Sequence, residues 1–459
     1  MFASEELEQK LAELITKNDV PGAQLAVLDG DAVTEVAAGV LSLRTGQATT
    51  PDALFLPGSI GKLYTATLVM MLVEEGTLDL DTPIRTYLPD FEVADPRARD
   101  TVTARDLLTH TSGFDGDHFT DTGRGDDALA AYVAGCAELP QIAPPGAIWS
   151  YSNSGYSILG RIVEVQMGMS FEQALRERIF TPLGLQHTVS FAEDAIVHPA
   201  AVGHIPDPED PATQIVSTTW GLWRAFGPMG SAVVASAGDV LEFVRLHLDG
   251  GMAPDGTRLL DAGLAASMLE QQVELVDDSV LGKGWGLGWI LDRWGDVTVI
   301  GHDGGTIGQS AFLRVVPEAG LVVALLTNGG DVMGLFGDVV KTIVKDVAGV
   351  ELPGFPTVPT EEVAVDAAPL VGFYSNSTFD MTVSVDDDGR IWLDSIPKGI
   401  AAEMGEEAEH VQLVGLDADS LIAVEPTMKE MHVVYAFLGE DGDGRRTHMH
   451  YGRAISRAD

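Results

Sequence analysis

The sequence predicts an α/β protein of the α+β type. It would comprise an antiparallel sheet flanked by helices, with a helical region between the halves of the sheet, followed by a small all-β barrel. Three observations carry this reading. Strand-like apolar runs stand near both ends of the first 350 residues, and the stretch between them is patterned for helix. Pro353, Pro356 and Pro359 then punctuate a short segment that reads as a linker. Beyond it, about six short period-two segments follow within 100 residues, almost without helical pattern. The expected organisation is one large domain over residues 1–350, a linker over 351–364 and an accessory barrel over 365–459.

Taken in order, residues 1–17 read as a helix with Leu7, Leu11, Leu14 and Ile15 on one face. Residues 23–28 and 32–38 are apolar runs joined by Asp29-Gly30-Asp31, a hairpin signal. Ser59-Ile60-Gly61-Lys62 opens a helix read as amphipathic, with Ile60, Leu63, Tyr64, Thr67, Leu68, Met71 and Leu72 as its buried stripe. Residues 100–250 read as mostly helical, most plainly at 157–166 and 171–180. Strands return at 297–300, 311–316 and 321–327, the last two joined by Pro317-Glu318-Ala319-Gly320. Residues 333–347 read as a helix. In the barrel, Asp386-Asp387-Asp388-Gly389 separates strands at 381–385 and 390–393, and further strands are expected at 410–414, 421–424, 432–437 and 446–453.

Composition excludes several functions. The chain carries 69 acidic against 27 basic residues, a formal charge of −42. Such a surface repels nucleic acid and anionic membranes. Either adaptation to high salt, where screening removes self-repulsion, or a solubility surface accounts for it. No apolar run reaches the length of a membrane span. The N-terminus lacks the basic start and apolar stretch of a secretory signal, so a cytoplasmic location is expected. The single cysteine, Cys136, fits a reducing compartment, and its alanine-rich surroundings give it a packing role.

The chemistry centres on three motifs. A serine hydroxyl holds its proton too tightly to attack a carbonyl near neutral pH, and Lys62 stands one helical turn after Ser59, on the same face. A buried, neutral amine there could take the proton. Taken alone, the pair more readily describes a helix N-cap serine followed by a solvated lysine. Tyr151-Ser152-Asn153 follows the turn Pro144-Pro145-Gly146 and offers a phenol as base or proton relay and an amide to orient the lysine or a substrate. Gly301-His302-Asp303-Gly304-Gly305 ends a strand, with glycines that admit a substrate backbone and an imidazole that ordinarily titrates near neutrality. Gly58-Ser59-Ile60-Gly61-Lys62 lacks the spacing and the following Ser or Thr of a phosphate loop. There is no Gly-x-Ser-x-Gly elbow. His448 and His450 alternate on a strand, with His432 nearby in the same domain, and read as an exposed strand face rather than a metal site. His110 reads as a turn residue, and Trp285 and Trp289 could line a cleft or pack in the core.

In the order Ser59-x-x-Lys62, Tyr151-x-Asn153 and His302-x-Gly304, the chain resembles the serine β-lactamase/penicillin-binding superfamily. The resemblance is to its class C β-lactamase-like branch, which includes family VIII carboxylesterases, D-aminopeptidases and D-alanyl-D-alanine carboxypeptidases. Leu107-Leu108-Thr109-His110-Thr111-Ser112-Gly113, the segment from Glu75 to Pro83 and the glycine turn at 227–239 resemble its connecting segments. The resemblance implies a β-lactamase/transpeptidase-like fold and Ser59 as the nucleophile of an acyl-enzyme. It also implies base work shared by Lys62 and Tyr151, and an oxyanion hole of the Ser59 and Gly305 N–H groups. Asn153, His302 and Gly304 would line the substrate site, and neither metal nor cofactor is implied. Leu370-Val371-Gly372-Phe373-Tyr374 resembles the opening of lipocalin-like barrels appended to some of these hydrolases, which can restrict access to the site.

One departure bears on substrate. Members that recognise penicillin carry lysine where this chain has His302, so a permanent charge for a substrate carboxylate is missing. The expectation is therefore a serine hydrolase of small esters or amides, either a carboxylesterase or a D-aminopeptidase-like enzyme. β-Lactamase, D-alanyl-D-alanine carboxypeptidase, acyltransferase and a non-catalytic peptide-binding protein are the alternatives.

Overall fold

A computed structural model describes residues 4–276, 281–361, 363–403, 406–426 and 431–459. Its centre is an eight-stranded antiparallel sheet. The order across it is Ala32–Gly39, Gly22–Asp29, Leu321–Thr327, Gln309–Val316, Val297–Thr306, Ile290–Trp294, Gly284–Trp285 and Val273–Glu274. The N-terminal hairpin thus pairs with a strand from some 300 residues on, Ala23 opposite Thr327 and Leu28 opposite Val322. Both central strands are apolar at nearly every position because both faces are covered. Leu25, Val27, Val323 and Leu325 point toward the helices Ser4–Lys17 and Val332–Ala348. Ala26, Leu28, Ala324 and Leu326 point into the larger core on the other side. The expected N-terminal helix is Ser4–Lys17, with the four named apolar residues buried; residues 1–3 lie outside those described.

Three expectations about helices change. Ser59 lies in a tight 3₁₀ turn, Gly58–Ile60, and the helix proper is Gly61–Glu74. That helix is not amphipathic: every residue from Gly61 to Leu72 is buried. It runs through the middle of the molecule, so no face needs to be polar. The region 100–250 is less helical than its composition implies: residues 109–127 are irregular, and residues 196–223 hold only the short paired strands His204–Pro206 and Gln214–Val216, so the longer helices are Ala128–Gly135, Asn153–Met167 and Ala237–Leu248. Residues 171–180 are one α-helical turn, Phe171–Leu175, widening into a π-helical segment, Arg176–Phe180.

The C-terminal strands form a closed eight-stranded barrel, Gly372–Ser375 pairing with Ala454–Arg457 to seal it. The strand pattern revealed six of the eight. Gly372–Ser375 and Ala454–Arg457 escaped because each is four residues long and half polar. The run at 446–453 is a strand only over His448–His450, then turns through Tyr451-Gly452-Arg453 into the closing strand. The barrel wraps Tyr374, Met381, Leu393, Phe437 and Ile455.

The barrel docks on the segment that carries Tyr151. His448 Nε2 lies 3.0 Å from the Ile142 carbonyl and His450 Nε2 2.9 Å from that of Trp149. The Tyr151 N–H donates to Gly452 O (3.1 Å), Ala454 N–H to Ser150 Oγ (3.1 Å) and Ser456 Oγ to Ile142 O (3.1 Å). On the other flank, the Ser377 N–H and hydroxyl both donate to the Asp115 carboxylate, each at 2.8 Å. The strand face of His448 and His450, read as exposed, is therefore an interface, with His450 fully buried, whereas His432 bonds within the barrel to Ala423 O.

Candidate active site

The turn that presents Ser59 is held from two sides by backbone alone. Gly58 has φ +55°, and a Cβ on it would stand 2.7 Å from Gly305 N. A Cβ on Gly304 would stand 1.9 Å from Pro57 O and 2.9 Å from Ser59 N. Only glycine permits this approach, which makes the Ser59 and Gly305 amides neighbours. On the opposite side, Gly230 abuts Gly58 as closely, and the Thr65 hydroxyl ties the helix to Pro228 O at 2.6 Å.

Lys62 is fully buried one turn on. Its Nζ meets Ser59 Oγ at 3.0 Å, Asn153 Oδ1 at 2.7 Å and Met229 O at 2.6 Å. Three acceptors match the three N–H bonds of an ammonium. As a neutral amine the same nitrogen keeps two donors, for Asn153 and Met229, and turns its lone pair to Ser59. Burial first, and then the Arg453 charge, press its pKa well below the usual lysine value, while Asp117 opposes them. The neutral form is thus accessible in the place where a proton acceptor is needed.

Tyr151 is buried with its hydroxyl in hydrogen-bond reach of Ser59. Lys62 Nζ lies 5.0 Å from its ring centre. Burial pushes its phenol well above the ordinary value, against the pull of Ser59 and Arg453. A standing phenolate is therefore disfavoured, and of the two roles open to it, base or proton relay, the neutral relay fits better. His302 changes similarly. It is 1 % exposed, its Nδ1 sits 2.6 Å from Asp303 O, and its pKa falls to about 3 through burial and the Lys62 charge. The imidazole expected to titrate near neutrality is neutral there, with Nδ1 protonated by that contact and Nε2 left as a bare acceptor.

His110 has the turn role expected, at φ +58°. Its Nδ1 accepts from Ser152 N–H (3.0 Å) and its carbonyl from Ser150 N–H (2.8 Å), clamping the segment that leads to Asn153. Trp285 and Trp289 are both fully buried; Trp285 packs edge-on to His302 at 5.6 Å and donates to Leu108 O, so it backs the site rather than lining it. Cys136 is buried and its thiol is pushed up to about 12, an inert packing residue. Among the described residues, no cluster of three or more His, Cys, Asp or Glu is placed to hold a metal ion.

Two side chains at the site were not read from the sequence. Asp117 accepts from Asn153 Nδ2 at 2.8 Å. Arg453, from the barrel, pairs with both Asp117 oxygens and lies 5.2 Å from the Tyr151 ring centre. They come together from positions 336 residues apart, and neither stands in a motif. Met229 is a third addition, recruited through its carbonyl only.

Comparison with known proteins shows which family the chain resembles along its length. The beta-lactamase family profile matches residues 7–338. Penicillin-binding protein 4 of Amycolatopsis lactamdurans is 47% identical over 374 residues, covering 80% of this chain and 96% of that protein. The crystal structure of SurE with D-Leu superposes with a TM-score of 0.80 at 29% identity, over 99% of both chains. The D-amino acid amidase of Ochrobactrum anthropi SV3, complexed with L-phenylalanine amide, superposes with a TM-score of 0.62 at 25% identity. It covers 74% of this chain and 98% of that one.

Proposed function

Because the chain belongs to the serine beta-lactamase/penicillin-binding protein superfamily, we propose that it is a serine hydrolase that forms an acyl-enzyme on Ser59 from small esters or amides. The observation that carries the reading is the Lys62 amine, buried and bonded at once to Ser59 Oγ, Asn153 Oδ1 and Met229 O. In the proposed reaction, Ser59 Oγ bonds to the substrate carbonyl carbon as its proton passes to Lys62. The resulting oxyanion lies against the Ser59 and Gly305 N–H groups, donors that are each worth about 3 kcal/mol in such barriers. Tyr151, as a neutral phenol, relays the proton from Lys62 to the leaving alcohol or amine as the bond from the carbonyl carbon to that group breaks. Water then attacks the acyl carbon and gives its proton to Lys62; the bond to Ser59 Oγ breaks, Oγ takes that proton back from Lys62, and the acid leaves.

The acyl side is proposed to end in a D-residue, a reading supported by the likeness to a structure holding D-Leu and to a D-amino acid amidase. His302, neutral at working pH, offers no charge to a substrate carboxylate, which sets β-lactams below esters and aminoacyl amides. Residues 1–350 are proposed as the hydrolase unit and 365–459 as an accessory barrel, joined through 351–364.

A fluorophosphonate probe tests the core of this proposal. It should label the wild type and fail on Ser59→Ala; no adduct, or one that survives the substitution, overturns the enzymatic reading. p-Nitrophenyl esters, D- and L-aminoacyl anilides and a chromogenic cephalosporin then rank substrates, with D-aminoacyl compounds expected ahead of their L-forms and the cephalosporin last.

A further inference from the structure

The geometry at the domain interface points to a positioning role for the barrel. We propose that Arg453 completes the active site from the barrel by fixing Asp117, which in turn fixes the Asn153 amide against Lys62. The inference rests on the Ser59–Lys62 reading above.

An asparagine amide can be turned over, exchanging its oxygen for its nitrogen at little intrinsic cost. Only one orientation presents an acceptor to Lys62. Asp117 selects it, because a carboxylate accepts from Nδ2 at 2.8 Å and would repel Oδ1 in the same place. Asp117 has a side chain only 9% exposed, so it needs a cation beside it. Arg453 is that cation, with Nη2 3.2 Å from Oδ1 and Nε on Oδ2. Its turn is held in place, since Gly452 O accepts the Tyr151 N–H and Ala454 N–H reaches Ser150 Oγ. One barrel turn therefore anchors both the Tyr151 backbone and the orientation of Asn153.

The same arrangement sets the charge around Lys62. The groups facing it are Asp117 from the loop, Arg453 from the barrel, the His110 and His302 imidazoles kept neutral by burial, and the neutral phenols of Tyr151 and Tyr156. Two of these are charged and they act in opposite senses. Removing Arg453 leaves Asp117 to favour the ammonium. Removing the Asp117 charge leaves Arg453 to favour the amine.

The test uses full-length protein and the rate of fluorophosphonate acylation from pH 5 to 10, with Ser59→Ala as control and melting curves for every variant. Arg453→Gln should move the acid limb to higher pH, and Asp117→Asn should move it lower while cutting the plateau rate about tenfold. The double variant should be no slower than Asp117→Asn alone, because both act through one path. Limbs that stay put, limbs that move in the same direction, or losses that multiply in the double variant overturn the proposal. So does an Arg453→Gln effect confined to the KM of an ester substrate, which marks a substrate contact instead. Asp117→Asn supplies the test from the hydrolase side even where Arg453→Gln fails to fold. Absence of a wild-type adduct refutes the hydrolase reading itself, a result distinct from all of these.

Discussion

A buried lysine is costly to keep, and Lys62 shows what the cost supports. Its side chain lies in the core among Tyr151, Tyr156 and the Met229 carbonyl, where a charged ammonium is penalised and a neutral amine forgoes solvation. Replacing it with methionine should lower fluorophosphonate acylation by roughly 10²–10⁴-fold, the range of a lost general base. The same variant should melt a few degrees higher near pH 7, because unfolding lets the wild-type amine hydrate and take up a proton, a gain the methionine side chain does not offer. A Lys62→Met protein that labels normally, or that melts lower, would contradict this assignment. His302 makes a related prediction about pH. Its folded pKa of about 3 lies below the ordinary value of 6.5, so the unfolded chain binds the proton first as pH falls. Stability is then lost between about pH 6.5 and 3, by about 5 kcal/mol at most for this residue. His247, held near 4 by burial, adds to the same slope. His302→Gln should flatten the melting temperature between pH 6.5 and 4 without abolishing its decline; an unchanged slope would show that His302 is protonated in the folded protein.

Among elements, the strand end at Gly304–Gly305 and the Gly58–Ile60 turn function as one unit through backbone contact. Gly304→Ala places a methyl 1.9 Å from Pro57 O, with no flexible side chain able to yield. It should cost about 1–3 kcal/mol of stability and at least 100-fold in acylation, since the turn can accommodate the methyl only by displacing Ser59. Near-normal melting and labelling would mean that the two segments are not coupled. The elements also show which parts of the fold were legible. The hairpins Gly22–Asp29 with Ala32–Gly39 and Gln309–Val316 with Leu321–Thr327 were plain, because apolar runs end at turns with local chemistry of their own. The helix Gly61–Glu74 was found but misjudged, as an apolar stripe and a helix buried all round give nearly the same pattern. Spacing paired Ser59 with Lys62, and the family resemblance of the three ordered motifs joined Tyr151, Asn153 and His302 to them. Neither could disclose Asp117 or Arg453, whose meeting depends on how a closed barrel docks. Nor could spacing reveal that burial would neutralise His302 or raise the Tyr151 phenol, because both effects depend on neighbours supplied by distant strands.

At the scale of the whole molecule, 69 acidic side chains face 27 basic ones, so even complete pairing leaves 42 negative charges unmatched. Surface pairs such as Arg105 with Asp81 and Lys17 with Asp338 are exposed enough to contribute little. Net repulsion should therefore outweigh the pairs, and salt should stabilise the fold. The screening length falls from about 10 Å at 0.1 M to about 3 Å at 1 M, short enough to silence repulsion between neighbouring carboxylates. Melting temperature should rise steadily from 0.05 to 2 M NaCl, by more than the few degrees expected of an ordinary surface. The catalytic network should respond differently. Lys62 is fully buried and Asp117 nearly so, so acylation per folded molecule should stay within roughly twofold over the same range. A melting temperature that is flat or falls with salt would show that the acidic surface serves solubility rather than a high-salt habitat. Acylation that tracked the melting curve would show that the barrel's hold on Asp117 loosens with ionic strength, and that Arg453 is screened by solvent rather than sheltered by the interface.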